Sequence, residues 1–214
     1  MGAAACKALA PDLDAVVAIE VIVPDSGRVE VGDTLHPRAR ALNGRGDSTA
    51  ATFEWSSLDT TLEVVDATGA AVGRFPGTGR LVVHSGTLRS NPVVITVLAA
   101  LDSIAAAGPT RSTVIVSTPD SLSDSLQVHA FGPVNTTVNA NVPVALSIDF
   151  PPGGAGLTLV PGDTVRTNSA GIAVFQVRLT GARPDSAVVT ASARHANGMP
   201  VAGSPVTFVV EFLP

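Results

Sequence analysis

Short β-branched runs alternate with turn residues along the whole chain, and this constrains the fold more than any other feature. Residues 16–23 (VVAIEVIV) are extended in character, and Pro24-Asp25-Ser26-Gly27 turns the chain after them. Val29 and Val31 mark a short strand that ends at Gly32-Asp33-Thr34. Residues 35–42 have period two, with Leu35, Pro37, Ala39 and Ala41 on one face and His36, Arg38 and Arg40 on the other. That pattern predicts a single half-buried strand with one wet face. Asn43-Gly44-Arg45-Gly46-Asp47 reads as a hairpin-type loop. Phe53 and Trp55 share a face of the next strand, 51–57, and further strands are expected near 62–65, 70–75, 79–85 and 87–98.

The second half repeats the style. Strands are expected at 112–118, 125–131, 143–150, 171–180, 185–195 and 204–213, with Pro151-Pro152-Gly153-Gly154 as a strong break. Ala173, Phe175, Val177 and Leu179 share one face, as do Val206, Phe208, Val210 and Phe212. No segment carries an i, i+3, i+4, i+7 apolar stripe over three turns. Many short strands separated by turn signals every 8–12 residues or so predict an all-β chain of sandwich or barrel type. At 214 residues there is room for two such sets. The expected organisation is a tail over 1–14, one sandwich over 15–100 and a second over 101–214. The junction, near Ala99 to Asp102, is short and apolar-edged, which predicts a stiff connection.

Composition narrows the function classes. With 45% hydrophobic and 14% charged residues the chain is too apolar for a disordered polymer, and a net charge of -5 carries no basic footprint for nucleic acid. Twelve Arg against one Lys, Lys7, reads as coding bias because the Arg are scattered. A single Cys excludes an intramolecular disulfide. No stretch reaches the roughly 18 apolar residues of a membrane-spanning helix, and the longest run, Pro92 to Leu101, reads as a strand.

The N-terminus, Met1-Gly-Ala-Ala-Ala-Cys6-Lys7, has small residues ending in Cys and then a polar tether to Asp12. It resembles the end of a bacterial lipoprotein signal, which implies lipid attachment at Cys6. The competing reading is a free thiol on an Ala-rich tail. An N-myristoylation signal fits less well, because position 6 is Cys where Ser or Thr is expected.

Residues 15–98 carry Ile19-Glu20-Val21 before Pro24, Val31-Gly32-Asp33-Thr34, Trp55-Ser56-Ser57-Leu58-Asp59, Val65-Asp66-Ala67-Thr68-Gly69 and Gly77-Thr78-Gly79. In that order they resemble a bacterial immunoglobulin-like domain of group 2. Leu62-Glu63-Val64 departs mildly from the family's Ala-x-Val. The resemblance implies that Trp55 fills the space between two sheets. The second half carries Thr167-Asn168-Ser169-Ala170-Gly171-Ile172-Ala173, then Val188-Val189-Thr190-Ala191. It is similar to the group 1, invasin-like domains, with Gly132-Pro133-Val134 a loose equivalent of an early Gly-x-Pro-Val loop. Both families serve as spacer, adhesion or packing modules of surface and periplasmic proteins, and neither implies catalysis. With Phe53, Phe175 and Phe208, Trp55 forms the expected core.

No G-x-S-x-G, H-E-x-x-H or P-loop pattern is present, so no enzyme activity and no cofactor are expected. His36, His84, His129 and His195 are isolated in sequence and read as solvated strand residues; no metal site is expected. Asp12/Asp14 and Asp120/Asp124 are acid pairs without the density of a calcium loop. Arg45-Gly46-Asp47 spells the integrin-binding tripeptide but is also ordinary turn chemistry. Asn135-Thr136-Thr137 is a glycosylation sequon expected to be silent.

The expected role is a non-catalytic structural or protein-interaction subunit outside the cytoplasm, docked on the outer face of a larger membrane complex of secretion, pilus or photosynthetic type. The alternative is a cell-surface adhesin or carbohydrate-binding module. His36, Arg38 and Arg40, cations at alternate positions, are the expected interface with an acidic protein partner.

Overall fold

Alternation of apolar and polar side chains favours strands that bury one face, and the chain folds that way throughout. The computed structural model describes residues 12–116, 120–133 and 139–214. The chain divides into two compact units, one ending at Leu98 and the next beginning at Ala99.

The first unit runs β1 (Val16–Ile22), a 3-10 turn (Asp25–Gly27), β2 (Arg28–Glu30), β3 (Thr34–Leu35), β4 (Arg38–Asn43), β5 (Ser48–Thr49), β6 (Glu54–Ser57), β7 (Leu62–Val64), β8 (Ala71–Gly73), β9 (Gly77–Ser85), β10 (Leu88–Arg89) and β11 (Val93–Leu98). One sheet has the order β10-β9-β11-β2, with β6 also on β9. The opposing layer is interrupted: β1-β4-β5 and β3-β8-β7 are separate ladders. The expected single strand over 35–42 is therefore broken at His36-Pro37. Its first part pairs with β8 and its second part with β1. Proline donates no backbone hydrogen bond, so it sits naturally where a strand changes partner. The side-chain alternation continues through the break, with Leu35, Pro37 and Ala41 buried. The run 87–98 is likewise split: β10 and β11 both pair with β9, but the register slips by one residue between Arg89, opposite His84, and Val93, opposite Leu81, across Asn91-Pro92.

The second unit runs β12 (Ser103–Ala106), β13 (Arg111–Ile115), β14 (Leu126–Phe131), β15 (Pro143–Phe150), a 3-10 turn (Pro152–Gly154), β16 (Leu157–Val160), β17 (Thr164–Arg166), β18 (Ile172–Leu179), β19 (Ser186–Ser192) and β20 (Val206–Leu213). Its sheets are β12-β14-β18-β16 and β13-β20-β19-β15-β17. The first edge segment of the unit switches layers: β12 joins one sheet and β13 runs parallel to β20 in the other. This is the immunoglobulin-like arrangement, and the parallel pairing of β2 with β11 repeats it in the first unit. β12, β16 and β17 are too short to stand out as strands by their periodicity.

Each unit has its own core. Trp55 is 7% exposed and packs with Leu35, Leu62, Leu81 and Ile95, and Phe53 lies half-buried against them. In the second unit Phe175 and Phe208 meet edge to face, 5.3 Å between centroids at 88°, an arrangement aromatic rings prefer.

Candidate interaction surface

The wet face expected around residues 36–40 lies on β1 and β4. Their antiparallel register places Ala18 opposite Leu42, Glu20 opposite Arg40 and Ile22 opposite Arg38. Ile19, Val21 and Ala39 turn inward against the core, so this second set faces solvent. Arg40 donates from Nε to the Glu20 carboxylate, an ion pair between half-exposed side chains. Three adjacent free cations are thus not what the face presents. Arg40 is charge-balanced across the strand pair, which leaves exposed Arg38 opposite Ile22, itself 51% exposed, and exposed His36 two residues before it, outside β4. Among the described residues Arg38 makes no ion pair. The face is therefore mixed: one arginine and one imidazole next to an exposed aliphatic surface.

Arg45-Gly46-Asp47 belongs to a closed turn. The Asn43 side-chain oxygen accepts from the backbone N–H groups of Arg45 (3.0 Å) and Asp47 (2.9 Å), while Gly46 N–H donates to the Asn43 carbonyl. The Arg45 guanidinium bonds the Asp14 carboxylate. The geometry is that of turn chemistry with the arginine already partnered.

The motifs that carried the family resemblance act locally, as clamps. The Trp55 N–H donates to the Asp66 carboxylate at 2.9 Å, and Gly69, at φ +71°, lies flat on the indole, where a Cβ would come within 2.5 Å of the ring. The Ser57 hydroxyl donates to the Asp59 carbonyl at 2.7 Å. The Asp59 carboxylate receives Nε and Nη2 of Arg80 and the Arg80 backbone N–H, all at 2.9 Å. Those side-chain bonds from Arg80 hold the Asp59 carboxyl below the ordinary carboxylate range.

The remaining candidates are scattered. Among the described residues no three His, Cys, Asp or Glu side chains gather as a metal site would require. Asp120 pairs with Arg178, and Asp124 accepts from the Ser112 hydroxyl. His84 and His195 are half-buried in different units. The His129 ring lies 4.1 Å from that of Phe131, tilted at 41°. Cys6 and the Asn135 sequon fall outside the described residues. No helix of the described residues is long and apolar enough to cross a membrane. A concavity that periodicity does not signal opens on the flank of the second unit, between β15 and β16.

No protein-family model matches the chain, and no curated protein matches it. Among solved structures it is similar to the Yersinia pseudotuberculosis adhesin InvE, with 18% identity over 89% of this chain and 58% of that one and a TM-score of 0.43. The chain thus spans little more than half of that structure. It is also similar to domains 4 and 5 of the S-layer protein SbsC (16% identity, 93% and 99% covered, TM-score 0.35). A third is the D00-D0 domain of Intimin (16% identity, 92% and 100% covered, TM-score 0.33).

Proposed function

We propose that the chain is a non-catalytic, protein-binding module that works outside the cytoplasm, a role of the adhesin or surface-layer kind. The observation that carries this reading is the mixed β1–β4 face. Exposed Arg38 stands opposite exposed Ile22, with exposed His36 two residues before it, in a chain of net charge -5. A protein interface combines such an apolar contact with arginine hydrogen bonds to carboxylates. The sandwich interiors are filled by side chains from both sheets, so faces, edges and loops are what each unit offers a partner. Sugar stacking through Trp55 is disfavoured, since Gly69 covers its ring.

Docking on the outer face of a membrane complex is the second reading, and the same mixed face would serve it. Both are tested with immobilised full-length chain, wild type and a His36→Glu, Arg38→Glu variant, exposed to detergent-solubilised native envelope at low and moderate salt. The proposed role predicts that the double variant loses retention of its protein partner, most strongly at low salt. Equal retention by both proteins at both salts would remove this face from the interface. A retained membrane complex in fixed stoichiometry favours docking, and a single surface protein favours adhesion.

A further inference from the structure

We infer that the open flank of the second unit is a strand-addition site for an extended, basic-flanked apolar peptide of a partner protein. It lies on a different unit from the β1–β4 face and stands or falls separately from it.

The argument begins with an incomplete sheet edge. β15 is paired along its inner side with β19. On its outer side β17 covers only the beginning: Pro143 faces Arg166, Val144 faces Val165 and Ala145 faces Thr164. The last bond on that side runs from the Leu146 N–H to the Asp163 carbonyl at 2.7 Å. β15 then continues to Phe150 with no strand on that side, its pairing with β19 shifting by one residue between Ile148 and Phe150. Backbone groups alternate sides along an antiparallel strand. Since the Leu146 N–H points outward, the N–H and C=O of Ile148 point the same way, into the open flank.

Across the gap lies β16, the end strand of the opposing sheet. The two edges bound a concavity of about 340 Å³, open to solvent. Leu146 and Leu157 form a buried floor, and half-buried Ile148 and Leu159 form the sides. One end is bounded by Gly153 and Gly154, where a Cβ on Gly154 would be in ordinary van der Waals contact with Ile148 Cδ1, 3.4 Å away. Apolar walls beside an unpaired strand edge match the requirements of β-augmentation. There, main-chain bonds hold the ligand and alternate side chains enter the groove. An enclosed small-molecule pocket would instead bury most of its ligand.

Charge selects the ligand further. Asp163, which lines the concavity, and Asp149, next to Ile148 on β15, are exposed, neither in an ion pair among the described residues, and no cation lines the concavity. A strand with alternating aliphatic residues and flanking lysines is complementary to it. Exposed strand edges also invite a second copy of the same chain, and the test separates the two.

The probe is a dye-labelled peptide in which valine alternates with threonine between lysine pairs, titrated into the full chain and followed by fluorescence anisotropy. The site predicts saturable binding, with amide shifts centred on Ile148. An Asp149→Lys, Asp163→Lys variant is expected to weaken binding by about tenfold at low salt, as loss of facing charges does. Both carboxylates are exposed, and an unchanged thermal melt confirms that the variant is folded. The same peptide with proline at its central valine, lacking one N–H, is expected not to bind. Absence of saturable binding, equal affinity for the variant, equal binding of the proline peptide, or self-association of the chain in place of peptide binding would each overturn the assignment. His36→Glu with Arg38→Glu leaves peptide binding unchanged if the flank is the site, so the two proposals fail independently.

Discussion

The two units share a strand plan and differ in how they are held together. In the second, the layer β12-β14-β18-β16 is continuous and, among the described residues, 23 apolar ones are buried in one cluster. In the first, the equivalent layer is broken at His36-Pro37 and the buried cluster has nine. Both units are also braced by side chains bonded to the backbone: Asp66 on the Trp55 backbone N–H, Ser90 on that of Val83 and Asp59 on that of Arg80 in the first, and Ser123 on the Val177 N–H, Thr167 on the Val142 N–H and Ser204 on the Ala193 N–H in the second. Such bonds contribute about 1 kcal/mol each, against about 25 cal/mol for each Å² of apolar surface buried. With fewer buried residues, the first unit depends on such bonds for a larger share of its stability, and Asp59 and Asp66 belong to the runs that carried its resemblance.

That comparison is most exposed to failure in the unfolding of the whole chain. Trp55 is the single tryptophan, so its fluorescence reports the first unit alone, while circular dichroism reports both. The first unit is expected to unfold at lower urea, giving a fluorescence transition that precedes the second dichroism phase. Coincident transitions would show that the difference in buried residues does not set stability. Trp55→Ala should remove about 3–5 kcal/mol from the first unit, and Phe208→Ala a similar amount from the second, each leaving the other unit's transition in place. The same loss is the larger fraction of the first unit's stability, so only Trp55→Ala is expected to leave its unit substantially unfolded in buffer.

Gly69→Val sharpens the picture at the next scale. It forces a side chain into the indole face at a left-handed backbone position, and should cost the first unit about 2–4 kcal/mol in a urea melt. A neutral result would mean that Trp55 readily swings away. Asp66→Ala strands the Trp55 N–H and should cost about 1–2 kcal/mol by the same measurement.

The smallest effect concerns acid. Bonds from Arg80 depress the Asp59 pKa in the folded chain, so the folded state binds this proton less readily than the unfolded one. The resulting stabilisation is present above the unfolded carboxylate value, near pH 4, and is lost as pH falls through the lower folded value. Melts of wild type and Asp59→Asn should therefore converge on acidification, with the gap closing below about pH 4. A gap independent of pH would point to packing instead of charge.

Much of the plan was legible in the pattern of side chains. The alternations at 172–179 and 206–213 place their buried residues correctly because a strand's period is independent of its partner. The same independence hid the break at Pro37: Leu35, Pro37 and Ala41 stay buried while the hydrogen-bonding partner changes from β8 to β1. The proline was the available signal. Neutralisation of Arg40 could not be read, because Glu20 lies twenty residues away and meets it only through the cross-strand register. The flank of the second unit was likewise invisible. It exists because β17 begins only at Thr164, and a three-residue strand leaves almost no periodicity to detect.

The parallel pairing near the start of each unit has a mechanical meaning. β2 lies along the last strand of the first unit through three residue pairs, and β13 along the last strand of the second through five. Tension applied through a unit's two ends pulls such strands past each other lengthwise, so the rungs between them share the load and yield together. A seam of five rungs resists that sliding more than a seam of three. Stretched end to end, the chain should lengthen first by extension of the unit that holds Trp55, at a force set by its unfolding rate and not by its equilibrium stability.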